Sequence, residues 1–399
     1  MNCIIYLLDG LSPLAIKNKK NKKFCGIAIK ENYISKLQEN SIHFDNAFGY
    51  GETFSTTYEF FTGKNIYKSY CDAFNLLTSF PKNKNLGYYF KKNNFNTFFF
   101  RDPHENHPTT GFYGRYFSAM TENFDFFCVK KKNKNYNFKS FFNDNKIDNF
   151  ITKDKKNFFV FHDYTLHDNK KAYKNSTPKS YLEAVDISAN TIKSNLDLIK
   201  YNDKKDTLIF LSDHGLNLKP YDELHYDKKI SKEKYDEYYK ALFLNEKIKF
   251  TSFIKGPGIK YEINKNYYKP SFIFFLLKSF AKKKLKKQTI KTLITKLKKN
   301  NKIIISLRSA NQNPYNNFFL KNYFHCYFLL LGKYKNIAYS HNHKCPYFDM
   351  DNKKYLKKEK VERNFKKIIE EYFSLKNYFI KSILFVISII IRVIKKILR

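Results

Sequence analysis

The chain has 399 residues, 43% of them hydrophobic, and a formal net charge of +38. That much apolar material builds a sizeable core and excludes a disordered chain. The charge invites a polyanionic or membrane partner, but Lys, Asn, Phe, Tyr and Ile are abundant while Trp is absent, the bias of an AT-rich genome, so charge alone says little about partners.

The amino terminus, Met1 to Asp9, lacks a basic n-region and carries too few apolar residues for a signal peptide or a spanning helix, so Ile4–Leu8 reads as a first buried strand. Three further apolar runs, Thr97–Phe100, Phe158–Phe161 and Thr207–Leu211, read as strands of the same parallel sheet, with helical sequence between them. The clearest helix follows Pro178, where Leu182, Val185, Ala189, Ile192, Leu196 and Ile199 recur at three- and four-residue steps and Ser176 or Thr177 offers an N-cap. This alternation predicts a three-layer α/β/α sandwich around a mostly parallel sheet. Residues 1–270 form its core. A smaller carboxyl-terminal subdomain covers 271–351, opening with a basic helical stretch and the strand-like Ile303–Ser306.

Residues 352–399 form a basic helical tail, apolar from Ile380 to Leu398 and flanked by Lys381, Arg392, Lys395, Lys396 and Arg399. Its apolar centre is short for a span, so the tail reads as an interfacial helix or as one docked on the protein itself. The cysteines, Cys3, Cys25, Cys71, Cys128, Cys326 and Cys345, show no CxxC pair, which points to reduced thiols rather than a disulfide framework or metal cluster. A cytoplasmic protein, in peripheral contact with the inner face of the membrane if the tail binds lipid, is the expectation.

Ligands of open α/β sheets collect at the carboxyl ends of the strands. Asp9 ends the first run, His162 and Asp163 the third, and Asp213 and His214 the fourth. Asp213-His214-Gly215 sets a carboxylate beside an imidazole on a strand-end loop, donors that suit zinc or manganese. In Thr53 to Gly63 a hydroxyl residue precedes a short helical stretch closed by glycine. Placed at a helix N-terminus, Thr53 has unpaired backbone N–H groups around it to receive an anion, but its hydroxyl needs a metal to become a useful nucleophile. Asp9, Asp213 and His214, with Thr53 itself, are the candidate ligands.

The order Asp9-Gly10, Thr53 to Phe61-Thr62-Gly63, then Asp213-His214-Gly215 resembles the sulfatase-like branch of the alkaline phosphatase superfamily. Tyr181 to Asp186, Lys255-Gly256-Pro257-Gly258 and Tyr347 to Asp351 are similar to its later motifs, so the resemblance covers roughly residues 1–351. It implies a metal-dependent hydrolase or transferase. Sulfatases carry Cys or Ser where Thr53 stands, followed by a Pro or Ala and an Arg where this chain has Ser55 and Thr57. Threonine cannot be oxidised to formylglycine, which sets a sulfuric ester hydrolase behind a phosphodiesterase or a transferase of the phosphoethanolamine or glycerol-phosphate type. By that likeness Thr53 forms a phospho-enzyme, and His162, His167 and His225 bind phosphate oxygens or protonate the leaving group. An alternative pairs Asp163 with His167 at a second metal, with His341 or His343 completing it. The expected partner is a phosphate ester, lipid- or glycan-linked, with nucleic acid not expected; a non-catalytic polyanion- or membrane-binding protein is the reading from outside the enzymes. His104 and His107 read as loop histidines, His43 and His325 as packing residues.

Overall fold

The computed structural model describes residues 2–18, 21–49, 53–64, 84–101, 119–129, 138–144, 146–151, 155–168, 177–215, 249–282, 302–309, 324–331, 337–340, 347–349 and 354–356. The chain divides into two compact units. The first comprises Met1–Gly63, Asn83–Lys219 and Glu246–Lys299, and the second Lys64–Lys82, Pro220–Asn245 and Asn300–Arg399.

In the first unit the strands follow as β1 (Asn2–Leu8), the short hairpin β2 (Lys23–Phe24) and β3 (Ile27–Ala28), β4 (Ser41–Ala47), β5 (Phe95–Arg101), β6 (Phe126–Val129), β7 (Lys156–Asp163), β8 (Thr207–Leu211), β9 (Ser252–Lys255) and β10 (Glu262–Tyr268). All but the hairpin join one eight-stranded sheet in the order β10-β4-β9-β8-β1-β7-β5-β6. Only β9 runs against the others, being antiparallel to both β8 and β4. The four expected strands are β1, β5, β7 and β8. Each is an apolar run buried on both faces, as a strand covered by helices on either side must be.

Side chains alternate across a strand, and the pairing register carries that alternation from strand to strand. Leu7 lies opposite His162, which lies opposite Arg101, while Leu8 lies opposite Asp163. The face of Ile4, Tyr6, Leu8, Phe100 and Phe161 packs on the helices Tyr33–Gln38, Phe138–Asp144 and Pro178–Leu198. The other face meets the helices Thr53–Thr62, Leu86–Lys91 and Ser271–Lys282, through Phe61 on Phe99 and through Phe90, stacked at 3.7 Å on Phe158 and 6.0 Å from Phe280. Burying each such ring is worth about 1.5–3 kcal/mol. The result is the three-layer α/β/α sandwich.

The long helix Pro178–Leu198 starts where its caps dictate. Thr177 and Ser180 form a reciprocal capping box and Pro178 occupies the first helical position, where its missing N–H costs nothing. Its buried stripe includes Tyr181, Ala184, Val185, Ala189, Ile192 and Leu196. The helix Ser271–Lys282 lies beyond the boundary expected at residue 270, yet it packs in the first unit. Glu59 accepts a hydrogen bond from the Ser271 N–H at 3.1 Å, and Phe274 lies against Gly63.

The second unit contains a five-stranded antiparallel sheet ordered β11 (Lys302–Ser309), β12 (Phe324–Leu331), β13 (Ile337–Ser340), β14 (Tyr347–Asp349) and β15 (Lys354–Leu356). The expected strand Ile303–Ser306 is part of β11. Among the described residues no helix is long and apolar enough to cross a membrane. The apolar tail from Ile380 to Leu398 lies outside those residues, as do His104, His107, His225, His341 and His343.

Candidate active site

The site is built where β1 and β8 end side by side. Past Leu8, the Asp9 N–H donates to the Asp163 carbonyl at 3.0 Å, extending the β1–β7 ladder by one residue. Gly10 then turns the chain with φ +75°, a left-handed conformation that glycine adopts without steric cost. The Gly10 N–H donates to Asp213 Oδ1 at 2.9 Å. Tyr181, from the long helix, donates its hydroxyl to the Gly10 carbonyl and accepts from the Ser12 N–H, both at 2.9 Å. One phenol therefore ties down both sides of the turn that carries Asp9. Burial pushes the pKa of the Tyr181 hydroxyl well above its ordinary value, so it remains a donor.

On β8 the loop after Leu211 is clamped to the residue preceding β9: Ser212 N–H donates to the Thr251 carbonyl at 2.9 Å, and Thr251 N–H to Ser212 Oγ at 2.7 Å. Asp213 follows, fully buried. Its Oδ1 accepts from the N–H groups of Gly10 and His214, each at 2.9 Å. Its Oδ2 is buried with no hydrogen-bond partner among the described residues. His214 Nδ1 lies 2.7 Å from the Gly215 carbonyl, which places a ring proton on Nδ1 and turns Nε2 inward. Nε2 is 3.6 Å from Asp213 Oδ2 and 3.6 Å from Asp9 Oδ1.

Two carboxylates gathered this closely around an imidazole nitrogen call for positive charge among them, supplied by a proton on Nε2 or by a metal ion. One ligand atom from each of Asp9, Asp213 and His214 falls within 4.8 Å of the others. A tetrahedral zinc ion with bonds of about 2.0–2.1 Å sets its ligands roughly 3.3 Å apart, close to the separations found. The donor set therefore fits a divalent ion, and His214 already has the second hydrogen bond that fixes the orientation of a metal-binding imidazole.

Thr53 begins the helix Thr53–Thr62 and donates its hydroxyl to Asp9 Oδ2 at 3.0 Å, so the expected nucleophile stands beside the ligand trio. That helix ends at Gly63, whose φ of +69° favours glycine and where a Cβ would run into the Phe274 ring. Gly49 approaches nearly as closely, since a Cβ there would lie 3.0 Å from Thr56 Oγ1 and 3.2 Å from the Asp213 carbonyl.

His162 and Asp163 part company. His162 is buried on the sheet face covered by the Thr53 helix, its ring 4.5 Å from that of Tyr164. Asp163 falls on the opposite face, where Tyr6 donates its hydroxyl to Oδ2, and the Thr165 N–H donates to Oδ1 at 2.8 Å. Asn195 in turn donates to the Tyr6 oxygen at 2.8 Å. Asp163 is thus consumed in a structural network on the wrong side of the sheet, which removes the reason to pair it with His167 at a second metal. His167 lies on the short helix Thr165–Asp168, its side chain outside the described residues. His43 is a packing residue, held by Ser41 Oγ at 2.8 Å and the Gln38 carbonyl at 3.1 Å.

Two buried polar residues at this edge of the sheet escape the sequence reading. Arg101, 5% exposed, ends β5 as Asp9 ends β1. Its guanidinium carbon stands 5.5 Å from the centre of the Tyr164 ring. The signal was the same as for the others, a polar residue closing the apolar run Phe98-Phe99-Phe100. Tyr164 follows the third run directly, and burial drives its hydroxyl pKa well up, with Arg101 opposing and Asp9 and Asp213 reinforcing the rise.

No family model matches the sequence, and no curated protein matches it either. Solved structures are similar along nearly the whole chain. The lipoteichoic acid synthase LtaP from Listeria monocytogenes has a TM-score of 0.55 at 13% identity, over 97% of this chain and 91% of that one. A Bacteroides thetaiotaomicron protein from a locus for metabolism of multiple glycosaminoglycans, labelled a 4S-sulf, has 0.56 at 13%, over 93% and 94%. A Vibrio parahaemolyticus protein of the alkaline phosphatase superfamily has 0.54 at 12%, over 91% and 83%. By these likenesses, and with one reversed strand in an otherwise parallel eight-stranded sheet, this chain has the fold of the alkaline phosphatase superfamily.

Proposed function

We propose that the chain is a metal-dependent enzyme that cleaves or transfers phosphate esters through a phosphothreonine at Thr53. The observation that carries this is the hydrogen bond from the Thr53 hydroxyl to Asp9 Oδ2, at a helix N-terminus and beside Asp213 and His214. Asp9, Asp213, His214 and Thr53 hold a divalent ion, zinc by preference and manganese as the alternative, which when bound lowers the pKa of the hydroxyl and polarises a phosphoryl oxygen.

The Thr53 oxygen attacks phosphorus as its proton leaves along the existing hydrogen bond to Asp9 Oδ2. The Thr53 Oγ–P bond forms while the bond from phosphorus to the ester oxygen breaks. The first-turn N–H groups of the Thr53 helix stabilise the charge on the non-bridging oxygens. His162, on the same sheet face, protonates the departing alkoxide, with His167 and His225 as the other histidines assigned to phosphate binding or acid catalysis. Water or an acceptor alcohol then attacks the phosphothreonine, releasing Thr53. A lipid- or glycan-linked ester suits this chemistry. Threonine rather than cysteine or serine sets sulfate ester hydrolysis aside, because no formylglycine can form.

The test is hydrolysis of bis-p-nitrophenyl phosphate, p-nitrophenyl phosphate and p-nitrocatechol sulfate by wild type and Thr53→Ala, with zinc or manganese and after chelation. Intact-mass measurement runs in parallel. Phosphate ester cleavage that requires metal and Thr53, with a phosphoryl adduct on the wild type alone, is the expected result. Sulfate cleavage, or phosphate ester cleavage surviving in Thr53→Ala, overturns it.

A further inference from the structure

Where the helix Tyr33–Gln38 ends against β4 and β9, the first unit holds a cavity of about 190 Å³. Its walls include Gln38 from the helix end, residues 43–46 of β4 and residues 249–252 at the start of β9. Ser252 pairs with Leu211, the last residue of β8, so the cavity lies at the same edge of the sheet as the ligand trio. Leu14 and Asp45 also line it and are exposed, so it reaches the surface. Gln38 and Ser252 are each only 5% exposed, and Gln38 Oε1 and Ser252 Oγ have no hydrogen-bond partner among the described residues. A buried polar atom left unpaired is costly, so a donor that reaches these two from the cavity gains what the fold does not supply. The helix end does not need the Gln38 side chain, because it is the Gln38 carbonyl that accepts from Ser41 Oγ, at 2.6 Å.

The remaining walls select the class of occupant. Asn18, Asn21, Asn46 and Thr251 add amides and a hydroxyl. Asn21 and Asn46 are held in place by bonds from Nδ2 to the Pro13 and Lys265 carbonyls, at 3.2 and 2.7 Å. Asp45 and Lys249 carry opposite charges, which favours neither an anion nor a cation. His43 Nε2 lies 2.8 Å from Ser41 Oγ and 3.1 Å from the Gln38 carbonyl, which takes it away from a metal. An apolar molecule would leave the amides unpaired. A neutral molecule with several hydroxyls, each both donor and acceptor, meets all of these groups. The volume is below the roughly 300–1,000 Å³ of a drug-sized site, which leaves room for one small unit. We propose that this cavity binds a single sugar unit, whose hydroxyls donate to Gln38 Oε1 and Ser252 Oγ. The site goes beyond the phosphate-ester reading and stands without it, since neither Thr53 nor the ligand trio lines the cavity. A free saccharide and the sugar of a glycan-linked ester present the same hydroxyls to it.

The experiment titrates N-acetylglucosamine, methyl α-glucoside and, as an anion control, sulfate into wild type, Gln38→Met and Ser252→Ala, followed by ligand-observed NMR. Melting temperature and p-nitrophenyl phosphate hydrolysis, with and without sugar, are recorded on the same samples. At least one sugar should bind wild type, more tightly than sulfate does, and each substitution should weaken it about tenfold, the loss of one hydrogen bond to a buried acceptor. Both variants should melt no lower than wild type, because each removes an unpaired buried oxygen at little change of shape. Competitive inhibition of ester hydrolysis by the bound sugar identifies the substrate's own sugar as the occupant, and binding without inhibition identifies a free saccharide; the sugar site stands in either case. No sugar binding to wild type, which leaves the cavity to water, overturns the proposal. So does sugar affinity unchanged in both variants, or sulfate bound more tightly than either sugar. Should Gln38→Met melt well below wild type, its amide has a structural partner, and Ser252→Ala alone then decides. A wild type that binds sugar but cleaves no ester ends the phosphate-ester reading and leaves this one intact.

Discussion

Two buried aspartates flank β1 at the same edge of the sheet and are used in opposite ways. Asp163, on β7, has both carboxylate oxygens engaged, one by the Tyr6 hydroxyl and one by the Thr165 N–H. Asp213, after β8, gathers two N–H groups on Oδ1 and turns Oδ2 toward His214 Nε2, 3.6 Å away. The first arrangement is a completed network and contributes to stability. The second is an incomplete one, costly until a cation joins it. Residue type and burial are the same at both positions, so what separates them is the set of neighbours. A saturated carboxylate holds the scaffold, and carboxylates turned on one another are where a cation would be stabilised.

That comparison breaks if the two aspartates respond alike to substitution. Asp213→Asn should cut zinc affinity and ester turnover by at least about 100-fold, beyond the 10–100-fold typical of residues that only support a ligand. The metal-free Asp213→Asn protein should melt no lower than metal-free wild type, because a buried charge facing other negative groups is gone. Asp163→Ala should do the reverse, costing about 2–4 kcal/mol in denaturant unfolding by stranding Tyr6 and the Thr165 N–H, with zinc binding retained. Calorimetric zinc titration and urea unfolding of the two variants decide it, and a large zinc defect in Asp163→Ala would return Asp163 to the metal site.

Tyr181 sharpens the contrast from behind. Removing its hydroxyl in Tyr181→Phe leaves the Gly10 carbonyl and the Ser12 N–H without their shared partner. The turn carrying Asp9 loosens, and zinc affinity should fall about tenfold with a stability loss near 1 kcal/mol. An unchanged zinc affinity would confine Tyr181 to packing.

The smallest effect lies far from the site, at a third acid. Burial works to raise the Asp125 carboxyl, but hydrogen bonds from Lys91 and from the hydroxyl and N–H of Thr97 outweigh it and hold the pKa below the usual carboxylate range. A pKa lower in the folded state means stabilisation that is complete above the unfolded value and fades as pH falls through the folded one. Asp125→Asn should therefore be modestly less stable than wild type at neutral pH and converge with it in acid. A stability gap that does not change with pH would show that the charge contributes nothing. Lys91 is largely exposed, so solvent screens the ion pair and the effect stays small.

Much of the candidate site is legible in the sequence. An apolar run ending in a polar residue is a local pattern, and it located Asp9, His162, Asp213 and His214; a hydroxyl before a glycine-closed helix located Thr53. The same pattern ends Phe98-Phe99-Phe100 at Arg101, but burial of that side chain is not a property of the local sequence. The central strands were equally plain, being apolar throughout. The strands β4, β9 and β10 were not, because Ser41–Ala47 and Glu262–Tyr268 mix polar with apolar residues and Ser252–Lys255 is only four residues long.

What required the tertiary structure was pairing and face. His162 and Asp163 are neighbours in the chain with similar chemical promise, and a strand sends consecutive side chains to opposite sides of the sheet. Which side carries the candidate nucleophile depends on where the Thr53 helix packs, and that is decided by contacts such as Phe61 on Phe99 and Phe274 at Gly63. The boundary near residue 270 moved for a related reason, because the helix Ser271–Lys282 is held by Glu59 and Gly63, more than two hundred residues earlier. Local order along the chain names the groups that can act. Only strand order, register and helix packing, all long-range, determine which of them share a side and which are already spent on holding the fold together.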